Sequence, residues 1–184
     1  KGYQNLCRLL YLANTEGFYD GVGRICPEWI QENAGDIIVT TTSLEGRIAE
    51  CLLMGKVGKA EEHFEWLLGA FGKDNVYAEF QLSPESHQKV YNTFMVNMVQ
   101  KHKVKSIMTN NTYFPEKDGW KLQYVVTSIK QKAPIENARL KENSEWYFYK
   151  REDFHRANKE FAYNYPAGFI DRCLDRTLEI ADRC

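Results

Sequence analysis

Three short apolar runs, each separated from the next by helical sequence, constrain the fold of this chain more than any other feature. Ile37-Ile38-Val39-Thr40-Thr41 is too short and too apolar for a surface helix, and it reads as a strand buried on both faces. Val76-Tyr77-Ala78-Glu79-Phe80 and Ser106-Ile107-Met108-Thr109 read as a second and a third strand. Between the first two, Leu44 to Met54 carries a helical pattern with Ser43 at its N-cap, and Lys59 to Phe71 forms a second amphipathic helix. Between the second and third, Ser83-Pro84 marks a helix start, and Val90, Phe94, Met98 and Val99 supply the apolar stripe. Parallel strands need helical crossovers, and these lengths suit them, so the order predicts a parallel α/β arrangement.

The flanks are mostly helical. Leu6, Leu9, Leu10 and Ala13 share one face of a predicted helix over Tyr3 to Glu16, with Gly17 placed as a C-cap. A Gly-rich connector around Gly21 and Gly23 precedes a short helix over Pro27 to Asn33. Beyond Phe114 the pattern gives a helix from Gly119 to Lys130, a polar loop with Pro134 and a helix from Arg151 to Glu160. A last helix begins near Pro166, with Ile170, Leu174, Leu178 and Ala181 on one side. No repeat or linker divides the chain, so residues 1–184 read as one domain, or part of one. The missing Met and an end inside helical sequence read as a fragment, and three strands are too few to close a barrel.

Composition narrows the function. Lys and Arg number 24 against 25 acidic residues, for a formal charge of -1. A domain that gripped nucleic acid by itself would show a basic excess. Aromatics make up 14%, and Trp66, Trp120, Trp146 and Phe148 are candidate core or interface anchors. Five cysteines at irregular spacing, with no CxxC pair, argue against a disulfide framework and a structural zinc site. They read as free thiols in a reducing cytoplasm. No apolar run approaches the ~20 residues of a membrane helix, and no signal peptide opens the chain.

Chemistry in a parallel α/β fold sits at the carboxyl ends of the strands. Of the residues there, Glu45 and Glu79 alone suit a hard cation, which makes a weak site. His63, His87, His102 and His155 fall in or beside predicted helices, away from those ends, and read as solvated or cap-like. Lys101-His102-Lys103-Val104-Lys105 is a basic run at a helix end, which the helix dipole alone accounts for. No nucleophile elbow, P-loop or dinucleotide fingerprint is present. Residue chemistry therefore supports no enzyme.

Five blocks in order carry a resemblance. Gly2-Tyr3-Gln4-Asn5-Leu6-Cys7-Arg8-Leu9-Leu10 resembles the "GYxNLxxL" segment of the PHP domain in bacterial-type C-family replicative polymerases, the DNA polymerase III alpha subunits. Ile37 to Gly46 is similar to that family's strand and "LSGCLxG" turn, and Phe71 to Gln81 to its "FGdxfYLELQ" segment. Ser106 to Phe114 resembles "vvATNDvHY", and Thr177 to Cys184 resembles "NTxEIAErC". The series covers essentially the whole chain.

The resemblance implies a piece of a distorted (βα)7 barrel, helix-rich toward its C-terminus, with further strands upstream and a polymerase palm beyond Cys184. It implies the palm and thumb as intramolecular partners, with the proofreading exonuclease subunit and the sliding clamp as further ones. DNA would be met through the parent DNA-directed DNA polymerase, a nucleotidyltransferase, and no membrane is involved. Departures from the pattern fall on the family's metal ligands. Ser43 stands at a ligand Cys, Asn111 and Tyr113 at the Asp and His of the third strand end, and Gln123 at a further His. A neutral amide and a phenol are poor ligands at neutral pH. The expected outcome is a scaffold with no catalytic residue, no metal site and no cofactor in this stretch. Asn111 and Tyr113 would then form a hydrogen-bonded apolar plug where metals once sat. Two alternatives stay open: a metal-dependent PHP phosphoesterase or 3'-5' exonuclease, and a free-standing α/β binding protein.

Overall fold

In the computed structural model the described residues are 1–132, 134 and 145–184. Apart from Pro134, the expected polar loop lies outside them. Eight helices alternate with five short strands among the described residues. The centre is a parallel sheet in the order β3 (Val39–Thr40), β4 (Val76–Gln81), β5 (Lys105–Thr109). Val39 pairs with Val76, and Tyr77 with Lys105 through Gln81 with Thr109. The central strand β4 is buried on both faces, with Val76, Tyr77, Ala78 and Phe80 fully enclosed, and Ser106, Ile107 and Met108 of β5 are buried as well. The expected double burial of Ile37 to Thr41 is corrected. Val39 and Thr40 are half-buried, because they form the edge of the observed sheet. No closed barrel is present among the described residues.

The crossovers follow the predicted order with shifted ends. After β3 come a single 3-10 turn (Ser43–Glu45), α3 (Arg47–Leu53) and α4 (Val57–Phe71), and α5 (Ser86–His102) joins β4 to β5. Ser43 is not the N-cap of α3; Gly46 is, and Ser43 is buried upstream with a positive φ of 43°. The helix expected from Ser83-Pro84 begins instead at Ser86 with Glu85 as its N-cap. Its buried face also departs from expectation. Val90 is exposed, while Gln88, Tyr91, Asn92 and Met95 turn inward beside Phe94 and Met98. Apolar periodicity misses this face because two of its residues are amides that find partners inside.

On the N-terminal side, α1 (Gly2–Thr15) buries Leu9 and Ala13 but leaves Leu6 and Leu10 exposed. It seats on the Gly35-Asp36 turn. A Cβ on Gly2 would lie 1.9 Å from the Asp36 carbonyl oxygen, and Asn5 Nδ2 donates to Gly35 O at 2.7 Å. The Gly-rich connector is a hairpin, β1 (Phe18–Tyr19) with β2 (Val22–Gly23). Its turn residues Asp20 and Gly21 both have positive φ, the Asp-Gly chemistry of a two-residue hairpin turn. α2 (Pro27–Asn33) matches its expected span.

On the C-terminal side, α6 (Trp120–Gln131), α7 (Arg151–Glu160) and α8 (Ala167–Arg183) close the chain, with α8 packed along β5. In α8 Ile170 and Cys173 are buried, whereas Leu178 of the expected stripe is exposed. Trp66, Trp120 and Trp146 pack against the core, but Phe148 is exposed. All five cysteines are free. No helix among the described residues is long and apolar enough to cross a membrane.

Candidate functional site at the strand ends

The carboxyl ends of β3, β4 and β5 open into a cavity of about 460 Å³, lined by Ser43, Glu45, Glu79, Gln81, Asn111 and neighbouring residues. A strained turn leads into it. Thr42 and Ser43 both adopt left-handed backbone, at φ 53° and 43°, which costs roughly 1–3 kcal/mol for each non-glycine residue. Gly46 permits the close return of the chain. A Cβ there would lie 2.6 Å from Thr42 Oγ1 and 2.7 Å from Thr41 O.

Side chains from α5 over-determine that turn. Ser43 Oγ donates to Gln88 Oε1 at 3.1 Å and accepts from Gln88 Nε2 at 2.9 Å. Gln88 Nε2 also donates to Asn92 Oδ1 at 2.8 Å, and Asn92 Nδ2 to the Gln81 carbonyl at 2.9 Å. Ser43, Gln88 and Asn92 are each about 1% exposed, so this network is cut off from water. Beside it, Thr41 Oγ1 and the Tyr91 hydroxyl lie 2.6 Å apart, and the Glu79 N–H donates to Thr41 Oγ1 at 3.0 Å. Burial pushes the Tyr91 phenol well above its ordinary range, so it stays neutral.

Glu79 is the one carboxylate at the centre of the sheet end. Thr40 Oγ1 donates to its Oε2 at 2.7 Å, Thr109 Oγ1 to its Oε1 at 2.6 Å, and Gln81 Nε2 to the same oxygen at 3.4 Å. Neutral donors alone hold it in these bonds. Glu145, on the cavity rim, belongs to a different cluster with Tyr149, Arg156 and Lys117. Burial works to raise its pKa, but the hydrogen bonds from Tyr149 and Arg156 prevail and hold it below the ordinary 4.5.

The other positions read from the sequence are spread out. Glu45 and Asn111 are exposed on the cavity wall. Tyr113 is exposed and leans on Trp146, with ring centroids 5.0 Å apart. Gln123 is half-buried on α6. The expected plug of Asn111 and Tyr113 is therefore corrected. The buried polar network is built by Thr41, Ser43, Gln88, Tyr91 and Asn92, because α5 reaches under the strand ends while the loop after β5 turns outward. In that loop the Asn110 side chain donates to the Tyr147 carbonyl at 2.6 Å, and the Tyr113 N–H donates to the Trp146 carbonyl at 2.8 Å. Sequence reasoning passed over Gln88, Tyr91 and Asn92, whose i, i+3, i+4 spacing was the available signal.

Fit to a metal can be judged from these partners. The Ser43 hydroxyl is engaged with an amide, Asn111 offers a neutral oxygen to solvent, and Tyr113 stacks rather than converges. Among the described residues, the one group of three His, Cys, Asp or Glu side chains close enough to share an ion is Glu61, Glu65 and His102. None of these lines the cavity. The strand-end residues do not fit a divalent metal cluster.

Comparison with known proteins agrees with the motif blocks. The matching family is the PHP domain, over residues 1–83. Over its whole length the chain is 28% identical to the DNA polymerase III subunit alpha of Thermus aquaticus and 28% identical to that of Deinococcus radiodurans. The Chlamydia muridarum subunit is 26% identical, again over 100% of this chain. The chain spans 14%, 13% and 16% of these three relatives. The similarity to polymerase III alpha subunits thus extends over the whole chain, beyond the five motif blocks. Residues of these motif blocks have structural roles. Gly2 and Asn5 dock α1, while Glu179 bonds Lys105 and Tyr77, and Arg183 reaches Tyr77 at 2.8 Å.

Proposed function

We propose that this chain is a non-catalytic structural and interaction portion of the PHP domain of a DNA polymerase III alpha subunit, serving DNA replication in the cytoplasm. In that reading it forms part of a PHP-type barrel whose other strands lie outside it. It acts by packing against the rest of the polymerase, with the exonuclease subunit and sliding clamp as further partners, and with no cofactor at its strand ends. The observation that supports this most is the Ser43–Gln88–Asn92 network. In it Ser43, which resembles a ligand position of the family pattern, is bonded to a neutral amide instead. A buried network of satisfied neutral groups holds a turn in place without clustering charge.

The test is hydrolysis of a phosphodiester by the purified protein with manganese, magnesium or zinc, with and without chelator. No turnover is expected. Chelator-sensitive release of nucleotide would overturn the non-catalytic reading in favour of a PHP phosphoesterase. Determining the complete reading frame tests the other half: a polymerase palm in the same chain is expected, and its absence would favour a free-standing α/β protein.

A further inference from the structure

We propose a transition-metal site, of zinc type, formed by Glu61 and Glu65 of α4 with His102 at the end of α5. It does not depend on the proposed replication role. His102 closes the helix that leads into β5 at Lys105, so the site lies toward the amino-terminal side of the sheet, away from the strand-end cavity. Glu61 and Glu65 stand four residues apart, which puts both carboxylates on one helix face. One ligand atom from each of the three residues lies within 4.8 Å of the others.

The decisive observation concerns the imidazole. His102 Nε2 is buried from solvent and makes no hydrogen bond among the described residues. It points at Glu65 Oε1, 3.5 Å away, too far for a good hydrogen bond and an ion pair only if the ring is protonated. Two ligands about 2.0–2.1 Å from a tetrahedral zinc ion are separated by about 3.3–3.4 Å. The spacing that leaves Nε2 unpartnered therefore suits a shared ion. The Phe64 ring flanks the imidazole at 5.6 Å and helps fix its direction.

Lys101 currently places its ammonium between the two carboxylates, bonding Glu61 and lying 3.3 Å from Glu65. A cation already gathers at this point, and the pair is solvent-exposed enough that little holds Lys101 there. A divalent ion would displace it, and the imidazole favours zinc, nickel or copper over calcium or magnesium. Three protein ligands leave the fourth position to water.

Titration of the purified protein with cobalt(II), competed by zinc, reads the site directly. One equivalent is expected, with a visible spectrum of nitrogen and oxygen ligation. Glu65→Gln and His102→Ala should each weaken binding by at least the roughly tenfold that losing an outer partner alone costs. Lys101→Met removes the competing cation from an exposed position and should strengthen binding, which keeps the test open should His102→Ala not fold. Absence of uptake overturns the proposal. So does a sulfur-to-cobalt charge-transfer band, which would put the ion on a cysteine, or an affinity that neither Glu65→Gln nor Lys101→Met moves in the stated direction.

Discussion

Two of the places where polar side chains gather in this protein are built on opposite plans. At the strand ends, Ser43, Gln88 and Asn92 are neutral, almost fully buried and bonded to one another. Between α4 and α5, Glu61, Glu65 and Lys101 are charged and reach solvent, with one imidazole nitrogen left over. The difference follows from desolvation. A buried polar group must be satisfied inside the protein, which leaves nothing free for a ligand, whereas exposed charges are hydrated and exchange partners readily. At the strand ends the Ser43 hydroxyl is thus already engaged by its neighbours. The cluster that resembles an ordinary surface ion pair keeps the freer ligands.

The contrast can be broken most sharply at Gln88. Gln88→Leu strips the Ser43 hydroxyl and the Asn92 amide oxygen of their partners in a site without water. A loss of about 2–6 kcal/mol in urea unfolding is expected, from about 1–3 kcal/mol for each of the two orphaned groups. A loss below 0.5 kcal/mol, roughly that of a plain surface substitution, would mean that the network does not hold the turn. Gly46→Ala comes next. Its methyl would press on Thr41 O and Thr42 Oγ1, and a cost of about 1–3 kcal/mol should appear as a lower melting temperature. Wild-type stability there would show that the turn relaxes freely.

Charge-dependent effects are smaller and should confine themselves to the other clusters. The Glu145 carboxyl is depressed in the folded protein, so its contribution is present above its ordinary 4.5 and lost as pH falls through the lower folded value. The stability gap between wild type and Glu145→Gln should therefore be full at neutral pH and shrink below about pH 4.5. A gap that stays constant down to about pH 3, the behaviour of a carboxyl whose pKa is the same folded and unfolded, would contradict this sign. Lys101→Met should leave the melting temperature nearly unchanged, since its partners are hydrated. A large drop would show that the α4–α5 pair is structural. Least perturbing is thiol labelling. Exposed Cys7 and Cys184 should react first, while Cys173, which burial pushes up to about 12, should react only on unfolding. Early modification of Cys173 would point to an open α8.

Much of this could be read along the chain, and the misses share a cause. The spans of α2 and α7, the order of the three parallel strands and their parallel pairing were legible, because periodicity and punctuation are local signals. Ser43 looked like an N-cap because a serine before a helical run usually is one. Only the approach of Gln88, 45 residues away, makes it a buried partner instead. Val90, Leu6, Leu10 and Leu178 fit apolar stripes yet are exposed, since which side of a helix faces the core depends on what packs against it. His102 could not be paired with Glu61 and Glu65 from spacing, because they belong to helices on either side of β4.

By itself, then, the sequence determined the parallel α/β order and, through its five blocks, the resemblance to polymerase III alpha subunits. Ser43, Asn111 and Tyr113 could be singled out only through that resemblance. Tertiary structure alone decided what surrounds them. The amides of α5 fill the space under the strand ends, the loop carrying Asn111 and Tyr113 turns to solvent, and a carboxylate–imidazole cluster forms elsewhere. Side-chain partners across helices are set by packing in three dimensions, where residues 40 or more apart meet, and no local pattern encodes that distance.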